Sequence, residues 1–126
     1  MVTKQFKGSP AEADLTRADS LARELFSDIA NKWALLIIEV LGERTLRFSE
    51  LRNEIEGISH KMLTQNLRML ERNGLVEREV HPTVPPRVDY TLTEPGHALR
   101  KTVDGMCDWT HRYLGHIEES RRRFDV

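Results

Sequence analysis

The chain has 126 residues, of which 39% are hydrophobic and 31% charged, with a formal net charge of -1. That length suits one domain with a modest core, and the near-neutral balance excludes a protein that holds nucleic acid by global basicity, so any such binding needs a local patch. Cys107 is the only cysteine, which excludes an intramolecular disulfide. The longest apolar run, Trp33 to Ile38, is too short to span a bilayer, and the opening MVTKQFKGSP lacks a signal peptide's apolar core, so no membrane association and a cytoplasmic location are expected.

Residues 1–13 read as a flexible N-terminal arm and residues 14–126 as a single domain. From Leu15 the residues Leu15, Ala18, Ala22, Leu25 and Ile29 fall three or four apart, one face of a helix that Asp14 would cap. The next segment, KWALLIIEVLGE, is apolar almost all round and belongs in the middle of a core, with Gly42 placed to stop it. Leu46, between Arg44 and Arg47, lies in a connector or brief strand. Phe48, Leu51 and Ile55 then share one side of a short helix, with Ser49 as its expected N-cap and Gly57 as its end. Ser59 caps another helix, running to about Asn73, in which Ile58, Leu63, Leu67 and Leu70 face inward with Met62 and Met69 beside them; Gly74 is the stop. Leu75 to Val80 and Val88 to Leu92 alternate as the two strands of a hairpin, and Pro82, Pro85 and Pro86 confine the residues between them to its tip and edge. Thr93 caps the last helix, about residues 94–122, with Pro95 in its first turn and Leu99, Val103, Met106, Trp109, Tyr113 and Ile117 at helical spacing; the basic tail SRRRF is expected to fray.

The order helix, turn, helix, hairpin predicts a mainly α fold with a small β-hairpin, a winged helix-turn-helix. Removing the buried stripe from the helix after Ser59 leaves His60, Lys61, Thr64, Gln65, Arg68 and Arg72 facing outward. Arg and Lys donate to guanine, Gln pairs with adenine, and Thr meets a base edge or a thymine methyl. The helix N-terminus at Ser59 adds unpaired N–H groups for phosphate, and Arg78 and Arg87 add cations on the wing. These nine residues form the expected DNA-binding set, with double-stranded DNA as partner.

Other chemistries find little support. His111 and His116 are five apart, on different helix faces, and His60, His81 and His97 lack a ligand-spaced partner, so no metal and no cofactor are expected. Asp104 and Asp108 share a helix face as solvated carboxylates. No Gly-rich phosphate loop or nucleophile elbow is present, which argues against an enzyme. The rival from another class is a winged-helix module that binds a protein rather than DNA; the two differ in salt dependence.

The last helix is too long for so small a chain to cover. A second subunit would cover it, giving a homodimer in which Leu99, Val103, Met106, Trp109, Tyr113 and Ile117, with Leu15 and Ala18, supply dimer contacts or the core beneath them. Two reading helices related by a two-fold axis would meet half-sites about 10 bp apart.

The strings NKWALLIIEVL, RFSEL, GISHKMLTQNLRMLERNGLVEREV, PPRVDYTLTEPGHAL and MCDW resemble, in order and spacing, those of the HxlR-type winged helix-turn-helix transcriptional regulators, bacterial and archaeal relatives of the MarR group. The resemblance runs from about Ala18 to Leu114. It implies a homodimer joined through N- and C-terminal helices and a regulator, expected to be a repressor, of an inverted-repeat operator. It places Lys61, Thr64, Gln65 and Arg68 at reading-helix positions and Arg87 on the wing. Many members carry a cysteine in the first helix, about a dozen residues before the Lys-Trp pair; here, with Lys32 and Trp33 as that pair, the position holds Ser20. A serine hydroxyl forms no thiolate at neutral pH, so thiol sensing there is lost. Cys107, beside Trp109, is expected to be a buried, inert cysteine. No feature of the sequence names a small-molecule effector.

Overall fold

The computed structural model describes the backbone from Pro10 to Val126 and the side chains from Asp14 onward. Most of the expected N-terminal arm therefore lies outside the described residues. The first helix, α1, spans Pro10–Ile29. It begins ahead of the expected cap, so Asp14 lies within its first turns, where it pairs with Arg17 at 2.8 Å instead of capping. A proline is accepted at a helix start because its missing N–H would have no partner there.

α2, Lys32–Leu41, is the centre of the core, with Ala34, Ile37, Ile38 and Leu41 fully buried. Asn31, which the periodicity did not single out, is its N-cap: the side-chain oxygen accepts from the Ala34 N–H at 2.9 Å. Gly42 ends the helix at φ 51°, a left-handed conformation costly for any other residue.

The brief strand expected at Leu46 is β1, Leu46–Arg47, and α3, Phe48–Glu54, follows it. The N-cap of α3 is Arg47, not Ser49. The Glu50 carboxylate accepts the Arg47 backbone N–H at 2.8 Å, so the orphan donor at this end is satisfied from inside the helix and the serine is not needed. α4, His60–Arg72, starts at Ser59, whose hydroxyl accepts the Met62 N–H at 3.1 Å. It stops at Asn73 and Gly74, the latter at φ 73°.

β2, Val76–His81, and β3, Arg87–Leu92, form the hairpin, and β1 adds to its free edge in the order β1-β3-β2, all antiparallel. Val76 pairs with Leu92 at the base and His81 with Arg87 at the far end. The prolines lie between the strands, as their missing N–H groups require. α5, Glu94–Phe124, is a single 31-residue helix capped by Thr93, and it continues through the basic tail that was expected to fray. No described helix is long and apolar enough to cross a membrane.

One core joins these elements. Ile29 of α1, the buried face of α2, Leu51 and Ile55, then Ile58, Leu63, Leu67 and Leu70, and the sheet residues Leu46, Val76 and Leu92 pack as a single cluster. Burying each leucine or isoleucine contributes about 1.5–3 kcal/mol.

Candidate nucleic-acid interface

α4 is divided lengthwise by burial. Leu63 and Leu70 have 0% of their surface exposed and Leu67 has 2%. On the opposite side Ser59, His60, Lys61, Gln65, Arg68 and Arg72 are all exposed, and Thr64 is half-buried with its hydroxyl donating to the His60 carbonyl at 2.8 Å. Asn66 is the one polar residue of this helix that is buried; its amide donates to the Met62 carbonyl at 2.9 Å, which satisfies it locally.

The connection from α3 to α4 turns at Gly57, with φ 83°, and the preceding helix carries Phe48 back against the start of α4. The Phe48 ring lies 4.7 Å from the His60 imidazole at 49°. This contact packs the His60 ring at the start of α4, which spacing alone did not reveal.

Between α4 and the hairpin lies a polar cleft of about 330 Å³, lined by Phe48, His60, Arg68, Glu71, Arg78 and Tyr90 among others. Arg78 and Glu71 form an ion pair at 3.5 Å across it, with both side chains more than 40% exposed. Burial pushes the Tyr90 phenol above its ordinary range, against the pull of the Arg78 charge. At neutral pH the hydroxyl therefore stays a donor. Glu71 and Tyr90 belong to this surface, and neither is in the expected DNA-binding set.

The wing cations differ from each other. Arg78 points from β2 into the cleft. Arg87 opens β3 and is turned back on the hairpin, with its Nε 3.4 Å from Asp89 Oδ1. The His81 imidazole, expected to lack a ligand-spaced partner, has two carboxylates beside it: Nε2 lies 2.9 Å from Asp89 and 3.3 Å from Glu79.

The expected dimer residues divide along the chain. Val103 is buried and Leu99 and Ile117 are half-buried, but Leu15 is 53%, Met106 64% and Trp109 57% exposed, with Ala18 and Tyr113 also exposed. Phe26, Ile29, Leu99, Val103, Met106 and Cys107 line an open apolar groove of about 640 Å³ between α1, α2 and α5. Cys107, expected to be buried, is exposed. α5 packs on α2 and β3, but its buried residues are Gly96 and Val103, and beyond Val103 the helix is largely exposed. Ser20 is likewise exposed.

A short helix, a glycine turn, a second helix with one polar side displayed, and a β-wing against it define a winged helix-turn-helix protein. The chain belongs to the HxlR-like helix-turn-helix family, whose pattern matches residues 28–118. Members of that family are DNA-binding transcriptional regulators. The chain is 45% identical over 94 residues to an HTH-type transcriptional regulator of Methanothermobacter thermautotrophicus, covering 75% of this chain and 72% of that one. It is 40% identical over 106 residues to the regulator YtfH of Escherichia coli, covering 84% of each. Among solved structures it is similar to the redox regulator HypR in its reduced form, with a TM-score of 0.69 and 35% identity, covering 78% of this chain and 97% of that one.

Proposed function

We propose that the chain is a cytoplasmic, homodimeric repressor that recognises an inverted-repeat operator, with α4 in the major groove and the wing on the adjacent backbone or minor groove. The observation that carries this reading is the division of α4. Its apolar face anchors it to the core while Lys61, Gln65, Arg68 and Arg72 stand clear. A helix held that way can enter a groove without unfolding anything. His60, Lys61, Thr64 and Gln65, in the N-terminal half, are assigned to base edges; Arg68, Arg72, Arg78 and Arg87 to phosphates or flanking bases.

The dimer half of the reading is supported by the apolar residues that one chain leaves uncovered. Phe26, Met106, Trp109 and Leu114 are exposed along α1 and α5, and an apolar surface of this extent on a small chain marks an association face. Two copies would double the cations on α4 and bring the half-sites about 10 bp apart. With about six phosphates neutralised, log affinity should fall with log salt at a slope of roughly -5. Thiol sensing at the first-helix position is not part of this function, because Ser20 stands there.

Selection of random DNA duplexes by the purified protein tests this reading. An enriched inverted repeat with half-sites one turn apart is the expected result. A protein that enriches no sequence, and whose DNA binding shows no salt dependence, would instead be an interaction module built on the same fold.

A further inference from the structure

We propose that the wing carries a divalent-cation site of the zinc class, formed by Glu79, His81 and Asp89. The hairpin register makes it. Glu79 on β2 stands directly opposite Asp89 on β3, and His81 is two residues along β2 on the same face. One oxygen of each carboxylate and one imidazole nitrogen all lie within 4.8 Å of one another. His81 Nε2 is 2.9 Å from Asp89 Oδ2 and 3.3 Å from Glu79 Oε1. Donors that surround zinc at about 2.0–2.2 Å in a tetrahedron stand roughly 3.3 Å apart, so only small side-chain adjustments bring these three to one ion.

Two further features favour a cation there. Carboxylates directly opposed across an antiparallel pair repel each other and destabilise the hairpin, and an ion between them removes that repulsion. The Asp89 side chain is only 14% exposed, and its other oxygen, Oδ1, already faces Arg87 Nε at 3.4 Å. That leaves Oδ2 for the metal and places Arg87 as the outer partner that orients the ligating carboxylate. One imidazole nitrogen and two carboxylate oxygens suit zinc or a neighbouring first-row divalent ion, with water completing the fourth position. Binding would convert two negative charges on the wing into a neutral cluster beside Arg87. On the DNA reading above this strengthens the hold on phosphate, but the site itself stands without that reading.

Calorimetric titration of the full chain with zinc chloride at neutral pH, without DNA, tests the site. One zinc per chain should bind, and His81→Ala and Asp89→Asn should each weaken it by about 100-fold, with circular dichroism verifying that each variant remains folded. Cobalt bound in place of zinc should give visible d–d absorption that His81→Ala abolishes. The double variant Cys107→Ser, His111→Ala, which removes the other metal-prone pair at helical i, i+4 spacing, should bind as the parent does. Loss of binding in that double variant, binding unchanged in His81→Ala, or no saturation up to about 1 mM zinc would overturn the proposal. Because DNA is absent, any of these results leaves the operator reading untouched.

Discussion

Gly96 sits where the long helix meets the end of α4, and replacing it with alanine should loosen both. A Cβ built there would lie 2.2 Å from the Leu75 carbonyl oxygen and 3.2 Å from its carbon, whereas real Cβ contacts under 3.0 Å essentially never occur. The clash is with backbone, and that carbonyl is already fixed as acceptor of the Thr93 N–H at 3.1 Å. The Thr93 hydroxyl also donates to the Gly74 carbonyl at 2.6 Å. The strand start, the α4 stop and the α5 cap therefore share one rigid junction, and relief needs a shift of nearly 1 Å. Overpacking of this kind costs about 1–3 kcal/mol; against backbone we expect the upper end, about 3 kcal/mol, or roughly 10–15 °C in melting temperature. Gly105, on the same helix with nothing near its Cβ position, is the control: Gly105→Ala should stabilise by up to about 1 kcal/mol through helix propensity. Thermal and urea melts of the two variants give the comparison. On the proposed dimer, operator affinity of Gly96→Ala should fall as well, because a displaced α5 would alter how the two copies of α4 are presented. Equal melting temperatures for Gly96→Ala and the parent would refute the tight approach.

Arg68→Ala or Lys61→Ala should leave the melting temperature unchanged, since both side chains are exposed; if the residue neutralises one phosphate per subunit, the salt dependence of operator binding becomes shallower by about 2 for a dimer. Unchanged affinity for every DNA tested would remove α4 from the interface. Ser59→Ala deletes the cap that accepts the Met62 N–H and should cost about 1 kcal/mol, read by urea unfolding, while Ser49→Ala, outside the cap at Arg47, should cost less. Burial first, then the hydrogen bond and charge of Asp104, raise the Glu39 carboxyl above its ordinary range. A carboxyl raised in the folded state contributes stability that is fully present below its unfolded pKa and is lost as pH rises through the folded one. Asp104→Asn should therefore stabilise the protein at neutral pH and do little at about pH 4; an equal gain at both would contradict the coupling.

The ends and buried side of α4 were legible from sequence because all three of its signals are local. A serine before the first turn, apolar residues at three- and four-residue steps, and an Asn-Gly stop set its ends and its buried side within one stretch of chain. The same holds for the all-round apolar α2 and for Thr93 at the head of α5. Capping was less legible at α3, where Glu50 reaches back to the Arg47 N–H and displaces the better-looking serine.

What the amino-acid order determined by itself was the succession of elements and the polar identity of the displayed helix, because helical period and caps act between near neighbours. Tertiary structure alone decided the rest. Strand register brought Asp89 beside Glu79 and His81, which the alternation of β2 alone had placed on one face. Packing of the hairpin against α4 closed the Glu71–Arg78 pair over Tyr90. The length by which α5 outruns the core left Cys107, Met106 and Trp109 uncovered. Neighbours made by a fold depend on how the elements are docked, and a linear pattern of residues carries no record of docking.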